Sequence, residues 1–497
     1  MAKRYKMNMS FTMSPLPVSR RGTTRQWPPV SSPQFAKEAT GPKRGLRAAR
    51  SYVLAAAVCL VGAWPNIARA QQPSDAFGKW AAARVIPLRT VEADGDATDL
   101  APLKSVVGAS RIVALGEPTH GTHEPLAFRN RLIRFLVEQM GFTAIALETG
   151  FTESLSIEQF VAGGPGELRS VVRDGMSWGF GHYPENEELI RWVRDYNAKT
   201  THHRKVRFYG IDLSGGNFDT ASFDNSRPAV DFALAFLARV DSVEARRIRQ
   251  GIDPLLVRFS DAKYSELSPT ERERLASGLS EVTASLERKR SSLVRITSDD
   301  EYQRALHSVV VAQQLKLFFE VSPPPAPPGP GIPPDAYRAM SARDSAMADN
   351  VRWALEREGP HGRLVVFAHN AHVMNSAIEG GIWAPFRQPP SAMGKSLRAM
   401  LGRDLVIIGT AARATAGGLP QMEADSTSLD TALAGVAIPR FILDIRPARD
   451  EQLVFAWLSE RRSLHANLTT HLTITPSTAF DALFFVDTLT PSRARRP

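Results

Sequence analysis

The chain has 497 residues, of which 43% are hydrophobic and 23% are charged, as is usual for a soluble globular protein. Its formal charge of +10 alone would point to a nucleic-acid or membrane partner. The excess is confined to residues 1–70, which contain 12 Lys and Arg but only one acid, whereas the rest of the chain holds 49 basic and 50 acidic residues. The charge pattern therefore argues against a polyanion-binding surface, and no nucleic-acid partner is predicted.

The first 70 residues are predicted to be a leader. Residues 1–42 are rich in Ser, Pro and Arg and are expected to be disordered, or untranslated because the true start lies downstream. Residues 43–70 combine a basic beginning, a short apolar run over 52–64 and an Ala-x-Ala cleavage site that ends at Ala70, which is the pattern of a secretory signal peptide. The run is too short to span a bilayer. We therefore expect a periplasmic or secreted protein that begins after Ala70 and has no stable membrane anchor.

The single cysteine, Cys59, lies within that apolar run. Once the leader is cleaved, the remaining chain contains no cysteine. This composition excludes disulfide bonds, thiolate metal ligands and a cysteine nucleophile from the mature protein.

Short apolar segments alternate with amphipathic segments along the rest of the chain. The apolar run at 111–116 predicts a strand, the helical periodicity at 125–140 a helix, and the run at 142–147 a second strand. This order is a βαβ unit, whose strands are parallel and whose crossover is right-handed. We therefore predict an α/β fold with a mainly parallel central sheet of six or seven strands and helices on both faces. The other strands are predicted at 206–213, 364–367, 405–408, 441–445 and 483–486, and the other helices at 152–162, 166–174, 185–197 and 335–357.

A long segment of helical pattern interrupts this alternation. Residues 228–320 carry many charges and few strand signals, so a helical insertion, which would act as a lid, is predicted there. The proline-rich stretch at 322–334 can form neither a helix nor a central strand, and we interpret it as a surface connector.

Titratable side chains stand directly after four of the predicted strands. Because the carboxyl ends of parallel strands lie at one edge of a sheet, these groups are expected to converge. A set of acids and His-x-x-His pairs at equivalent positions predicts a functional site more strongly than any single histidine does. In chain order, the groups are Glu117, His120, His123 and Glu124, then Glu148, then Asp212, and finally His369 and His372.

These residue types suit hydrolysis. A neutral histidine can take a proton from water near neutral pH, and a carboxylate on its other ring nitrogen fixes the tautomer and stabilises the imidazolium. Arg129, on the helix that follows the first group, either points back to stabilise an oxyanion or lies on a solvated helix face. Trp178 and His182 either line a pocket or pack within a Gly-rich turn. Arg343 and Asp344 are expected to pair at a helix start, and the alternative is that Arg343 faces the cleft.

The sequence was also compared with motifs that are typical of other enzyme classes. The pattern Gly-x-Ser-x-Gly occurs at Gly175-Met176-Ser177-Trp178-Gly179, but it follows a predicted helix rather than a strand and so lacks the context of a nucleophile elbow. A His-Glu-x-x-His zinc motif, a P-loop and a dinucleotide glycine fingerprint are absent from the sequence. The spacing Glu117-x-x-His120-x-x-His123 could still ligate a metal, with His369 and His372 as further ligands. A metal-dependent hydrolase therefore remains an alternative at this stage.

Several segments together resemble the erythromycin esterase family. Residues 115–124, Leu-Gly-Glu-Pro-Thr-His-Gly-Thr-His-Glu, are similar to the family's signature, and Arg129 stands at the matching place after it. The resemblance covers roughly residues 77–450. Similar segments follow in the family's order, with Ala-Leu-Glu-Thr at 146–149, Tyr-Gly-Ile-Asp at 209–212, Ala-His-Asn-Ala-His at 368–372 and Met-Gly-Lys-Ser-Leu at 393–397.

The resemblance implies a hydrolase domain over 71–497 that opens the macrolactone ester of erythromycin-type antibiotics without a metal or another cofactor, and thereby confers macrolide resistance. A small-molecule ester would be its substrate. From their places after strands, His123 and Asp212 are expected to bind the substrate or to support the site. The roles implied by the resemblance are water activation by His120, orientation by Glu117 and Glu148, polarisation of the ester by Arg129 and His369, and support by His372.

The sequence departs from the family in two ways. Pro118 stands where a small residue is expected, and the predicted export contrasts with macrolide esterases that act inside the cell. A further alternative is a non-enzymatic periplasmic protein whose histidine-rich rim holds haem or a metal, because the architecture also resembles that of a haem-binding lipoprotein group.

Overall fold

The computed structural model describes residues 73–201, 204–217, 220, 222–323, 333–423 and 425–493. The predicted leader and most of the proline-rich connector lie outside these residues. The strands are β1 (Ile86–Pro87), β2 (Ile112–Glu117), β3 (Ala144–Gly150), β4 (Arg207–Asp212), β5 (Gly216–Asn217), β6 (Ser222–Phe223), β7 (Leu364–His369), β8 (Leu405–Thr415), β9 (Arg440–Asp444), β10 (Arg462–Ala466), β11 (Thr470–Ile474) and β12 (Ala482–Leu489). The α-helices are α1 (Pro73–Ala82), α2 (Leu103–Val107), α3 (His123–Met140), α4 (Phe151–Val161), α5 (Leu168–Gly175), α6 (Pro184–Ala198), α7 (Arg227–Leu237), α8 (Ser242–Leu256), α9 (Pro269–Arg288), α10 (Arg290–Ile296), α11 (Asp299–Val321), α12 (Tyr337–Arg357), α13 (Asn370–Val373), α14 (Met393–Leu401), α15 (Leu429–Ala434), α16 (Gln452–Leu458) and α17 (Pro476–Ala479).

Eight strands form one central sheet in the order β1-β9-β12-β8-β2-β7-β3-β4. The strands from β12 to β4 in this order are parallel, and β9 pairs antiparallel with β12 on one side and with the edge strand β1 on the other. The predicted α/β fold with a mainly parallel sheet is therefore confirmed. The sequence pattern misses β1, whose two residues are too few to show periodicity. It also does not show that β7 lies between β2 and β3, the two strands of the predicted βαβ unit.

Both faces of the sheet are covered by helices, as expected for parallel strands. The alternation along β2 shows this directly, since Ile112 and Ala114 join one hydrophobic cluster while Val113 and Leu115 join another on the opposite face. The four side chains are 0–1% exposed. Because the apolar residues of β2 are buried on both faces of the sheet, the polar side chain of this strand stands at its end, at Glu117.

The segment from α7 to α11 is helical throughout and has its own hydrophobic cluster. The cluster includes Leu275, Leu279 and Leu286 of α9, each of them completely buried. It also takes in Phe151 at the start of α4, which connects the helical layer to the main sheet. That this layer acts as a lid stays a prediction. Among the described residues, no helix has the length and hydrophobicity needed to cross a membrane.

Candidate active site

The predicted groups meet where the parallel strands end. Glu117 and His369 are the last pair in the register of β2 with β7, and Gly150 at the end of β3 pairs with Asp212 at the end of β4. The register shifts after Leu147, so a bulge surrounds Glu148. Bulges commonly re-aim a side chain at a functional site. The predicted convergence of the strand ends is therefore confirmed.

His120 and Glu117 form a hydrogen-bonded pair on the turn that follows β2. Nδ1 of His120 lies 2.7 Å from Oε1 of Glu117. Because an ionised carboxylate only accepts hydrogen bonds, Nδ1 carries the proton and Nε2 is left with its lone pair. The side chain of His120 is 27% exposed, whereas that of Glu117 is 5% exposed. The imidazole can thus meet solvent or a ligand while its carboxylate partner stays buried.

The charge around His120 raises its basicity. Burial lowers the pKa of His120, but the charge and hydrogen bond of Glu117 and the charge of Glu148 outweigh it, so the pKa lies above the usual 6.5. A carboxylate bound to one ring nitrogen favours the imidazolium, as in hydrolases that use a histidine–carboxylate pair. The pair is therefore suited to accept a proton from water.

His372 is held between two carboxylates. Its Nδ1 lies 2.9 Å from Oδ1 of Asp344, and its Nε2 lies 3.3 Å from Oε1 of Glu148. Burial alone would lower the pKa of His372, but these two acids raise it to about 10. His372 is consequently an imidazolium at neutral pH and cannot act as a base there.

Arg343 extends this chain of alternating charges. Its Nη2 lies 3.0 Å from Oε1 of Glu148, and its guanidinium holds Asp212 through two hydrogen bonds of 2.9 and 2.6 Å. The expected pairing of Arg343 with Asp344 at a helix start is therefore wrong. Both residues lie inside α12, where their side chains reach different acceptors, and the backbone N–H of Met393 donates to Asp344 at 2.7 Å.

Glu148 is the point at which these groups meet. Its Oε1 faces His372 and Arg343, and its Oε2 accepts from the backbone N–H of His369 at 2.8 Å. Burial raises the pKa of Glu148, but the nearby positive charges more than offset this and hold the pKa well below its usual value. The geometry makes Glu148 a permanent buried anion.

His369 is neutral and fixed by the backbone. Its Nε2 donates to the carbonyl oxygen of Pro118 at 2.9 Å, and its Nδ1 accepts from the N–H of Ala371 at 3.1 Å. Burial and the charge of His120 lower the pKa of His369 to about 3. Its ring lies 5.3 Å from that of His120, measured between centroids. The implied role of His369 in polarising an ester would require at least one of these hydrogen bonds to open, and it stays a prediction.

The side chain of Arg129 points into the protein, so the alternative prediction that it lies on a solvated helix face is wrong. The side chain is only 1% exposed, lies over the ring of Phe367 at 4.8 Å and donates twice to Oδ1 of Asn130. Burial lowers its pKa to about 10, although the charges of Glu117 and Glu185 favour the cation. In this conformation Arg129 offsets the buried charge of Glu117, and its contact with a substrate stays a prediction.

His123 and Glu124 do not join this group. His123 lies between Glu185 and Glu92, with nitrogen–oxygen distances of 2.8 and 2.7 Å, and Glu124 accepts from Thr490 at 2.7 Å. Both residues therefore attach the start of α3 to neighbouring segments, so the predicted convergence is wrong for these two side chains. Each ring nitrogen of His123 already has a carboxylate partner within the protein, so of its two expected roles His123 fits support of the site.

The turn that carries His120 is fixed from two sides. The carbonyl of Pro118 accepts from the N–H of Asn467 at 2.8 Å, and the carbonyl of Gly121 accepts from the N–H of Ser492 at 2.8 Å. Gly121 has φ +75°, and a Cβ at this position would lie 2.8 Å from the hydroxyl oxygen of Tyr183. A glycine is therefore required at this close approach.

A cavity of about 600 Å³ lies beside the site. Trp178 and Tyr183 line it and connect it to the site, since the indole N–H of Trp178 donates to Asp212 at 2.8 Å and Tyr183 packs against Gly121. The residues that line the cavity do not include Glu117, His120 or Glu148. Trp178 therefore lines a cavity, one of its two interpretations from sequence, and His182 lines it as well. The volume lies within the range of small-molecule sites.

Sequence reasoning overlooked several contributors to the site. The predicted partner of Asp344 is wrong, because Asp344 binds His372 and the N–H of Met393. Tyr183 and Glu185 carry no motif that marks them. A signal for Trp178 existed, because a tryptophan between a serine and a glycine in a turn is unusual, but its hydrogen bond to Asp212 depends on the tertiary fold. These contacts all come from elements that are distant in sequence.

The metal-dependent alternative requires ligands that are free to bind. Within the described parts of the chain, no group of three or more His, Cys, Asp or Glu side chains is arranged to hold a metal ion. The ring nitrogens of His123, His369 and His372 already bind protein atoms. A metal would have to displace these partners first.

The chain combines an α/β fold with a histidine–carboxylate pair at the ends of its parallel strands. The family model for erythromycin esterase matches residues 137–489, and the chain belongs to this family. The match begins inside α3, so the turn that carries His120 precedes it.

Two relatives that carry the family's name agree with this assignment. The chain is 28% identical over 351 residues to erythromycin esterase type II from Escherichia coli, which spans 67% of this chain and 76% of the relative. It is 25% identical over 294 residues to erythromycin esterase type I from the same organism, spanning 56% and 65%.

Solved structures share the fold. A protein from Bacillus cereus superposes with a TM-score of 0.70 at 25% identity and covers 85% of this chain and 99% of its own. A mutant erythromycin esterase in its open conformation superposes with a TM-score of 0.60 at 17% identity, covering 83% and 99%.

Proposed function

We propose that this protein hydrolyses a carboxylic ester of a small molecule with water that His120 activates. The observation that carries this proposal is the 2.7 Å contact between His120 Nδ1 and Glu117 Oε1, which leaves Nε2 as the acceptor on a partly exposed ring. Membership of the erythromycin esterase family supports a hydrolase, and family relatives support a small-molecule substrate.

The reaction follows from the groups in place. Nε2 of His120 removes a proton from water as the water oxygen attacks the ester carbonyl carbon, and Glu117 stabilises the resulting imidazolium. The tetrahedral intermediate then expels the alkoxide, which takes the proton back from Nε2. A linear ester yields an acid and an alcohol, and a lactone yields a single ring-opened hydroxy acid.

The buried anion of Glu148 assists without exchanging a proton. Its carboxylate contributes to the raised pKa of His120, and His372 and Arg343 keep it ionised. His120 therefore sits in a field that favours its protonated form, which is the form produced as water attacks.

A macrolide lactone is the first substrate to test. Two relatives carry the name erythromycin esterase, and the cavity of about 600 Å³ beside the site suits the non-reacting part of a sizeable ester. If macrolides are opened, we expect expression of the protein to raise macrolide tolerance in a sensitive bacterium.

The test uses a panel of macrolides and simple esters, read by mass spectrometry for the addition of one water. We expect His120→Asn to lower kcat by about 10²–10⁴-fold, the usual contribution of a general base, with the melting temperature unchanged. His361→Asn, at an exposed histidine outside the site, is the matched control and should retain full activity. Full turnover by a folded His120→Asn protein would remove His120 from the base role.

We also propose that the protein is exported and that its leader is removed after Ala70. The support is the sequence pattern over residues 43–70 alone.

A further inference from the structure

Trp178 has an unusual backbone for its residue type. Its φ is +59°, in the left-handed region that bulky side chains rarely adopt, and Gly179 follows with φ +69°. The other non-glycine residues with positive φ in the described chain are Ala437, Asn467 and Leu468, so Trp178 is the aromatic one. Backbone strain of this kind persists only where surrounding contacts fix it, and it gathers at functional sites.

Three contacts hold Trp178 in this conformation. Its backbone N–H donates to the carbonyl of Gly216 at 3.0 Å, and its indole N–H donates to Oδ2 of Asp212 at 2.8 Å. A Cβ on Gly216 would lie 2.3 Å from the indole ring, so only glycine allows the ring this close to that strand. The ring is therefore placed by the backbone of β5 and by Asp212.

The same ring faces Arg343. The guanidinium carbon of Arg343 lies 5.1 Å from the centre of the indole ring, within the range of a cation–π contact. Asp212 thus accepts hydrogen bonds from the indole N–H and from two guanidinium N–H groups. Nη2 of Arg343 also donates to Glu148 at 3.0 Å. Trp178 contacts both members of the pair that orders Glu148.

We propose that Trp178 is a positioning residue, whose ring and N–H hold Arg343 and Asp212, and through Arg343 the carboxylate of Glu148, in the arrangement that the reaction needs. This inference rests on the proposed hydrolase function. In this conformation the indole N–H reaches Asp212 and the ring lies against Arg343.

The first variant distinguishes the contribution of the indole N–H from that of the aromatic ring. Trp178→Phe keeps an aromatic face for Arg343 and loses the hydrogen bond to Asp212, so we expect kcat to fall about tenfold with KM within about twofold. Trp178→Gly removes the ring and relieves the backbone strain, so we expect a larger loss of kcat than in Trp178→Phe. The loss of thermal stability should be small, because the side chain is only half-buried and the strain is removed with it.

Trp192→Phe is the matched control. Trp192 also carries an arginine over its ring, with the guanidinium carbon of Arg134 at 5.6 Å, but it lies on α6 away from Asp212. We expect kcat and KM of this variant to equal those of the unaltered protein. Unchanged kcat in both Trp178 variants, or an equal loss in Trp192→Phe, would overturn the proposal.

A second readout does not depend on turnover. In proton–nitrogen NMR spectra, the Nε–H of Arg343 bonded to Asp212 should exchange slowly with water, and Arg343→Lys identifies its signal. We expect faster exchange in Trp178→Phe and unchanged exchange in Trp192→Phe. If the unaltered protein hydrolyses no ester in the panel, the hydrolase proposal fails, while equal exchange rates in all these proteins would refute the positioning role by itself.

Discussion

Three histidines within one site are held in three different environments. His372 is an imidazolium because two carboxylates flank it, and His369 is neutral because backbone groups take both of its nitrogens. Only His120 combines a carboxylate on one nitrogen with partial exposure of its ring. Environment, rather than residue type, therefore selects the candidate base.

The pH dependence of the reaction should report the Glu117–His120 pair. A base works only when deprotonated, so kcat/KM should rise with pH through the pKa of His120, and the midpoint should lie above 6.5 because that pKa is raised. Glu117→Gln keeps a hydrogen-bond acceptor but removes the charge. We expect its midpoint to move to lower pH and its plateau rate to fall by at least about tenfold, in a full pH–rate profile.

Glu138→Gln, at an exposed position on α3, is the control for this experiment and should leave the profile unchanged. A Glu117→Gln profile that keeps its midpoint, or shifts it upward, would show that Glu117 does not set the basicity of the catalytic group.

Much of this site can be predicted from sequence at the level of residue positions. Glu117, Glu148, Asp212 and His369 follow apolar strands, and parallel strands bring their ends together whatever the chain order. The charge states could not be predicted, because they depend on Asp344 and Arg343, whose side chains reach the site from the middle of α12. Helical periodicity does not reveal which acceptor such a side chain meets.

At the scale of elements, the turn between β2 and α3 determines where His120 lies. Its conformation depends on Gly121, on the N–H of Asn467 from the β10–β11 hairpin and on the segment after β12. The sequence located this turn from the end of an apolar run, but it could not show the segments that hold it.

Two glycines offer a matched test of this turn. Gly121 and Gly141 have φ of +75° and +71°, but a Cβ would meet Tyr183 at Gly121 and nothing within 4 Å at Gly141. We expect Gly141→Ala to lower the free energy of unfolding by about 1 kcal/mol, the cost of a left-handed alanine, with kcat unchanged. Gly121→Ala should lose at least about tenfold in kcat because the turn must also move away from Tyr183.

Chemical denaturation and steady-state kinetics of both alanine variants give the comparison. Equal kcat values in the two would mean that His120 tolerates displacement of its turn. Tyr183→Phe combined with Gly121→Ala should recover only part of the lost rate, since ring carbons of Tyr183 also lie 3.0–3.2 Å from the added Cβ.

At the scale of the whole molecule, the charge of the chain divides at the end of the predicted leader. Removal of residues 1–70 would convert a protein of formal charge +10 into one with 49 basic and 50 acidic residues. We expect exported protein to begin at Gln71, which N-terminal sequencing of the periplasmic or secreted fraction would establish. An intact Met1 on that material, or activity only in the cytoplasm, would contradict export.

The overall architecture follows from the sequence because seven of the eight central strands carry apolar runs that end in polar residues or turns. The exception, β1, is defined only by its pairing with β9. The strand order is harder to predict from sequence. In the sheet β7 lies between β2 and β3, although the chain forms the entire helical layer before it reaches β7.

The contacts that fix the turn between β2 and α3 also set the earliest point in synthesis at which this turn can be completed. Glu124 binds Thr490 across 366 residues, and Gly121 binds Ser492 still later in the chain. During synthesis β2 leaves the ribosome early, yet its turn receives these partners only after β12 has emerged and docked. A chain interrupted before Thr490 would therefore lack the contacts that Glu124 and Gly121 make with this segment.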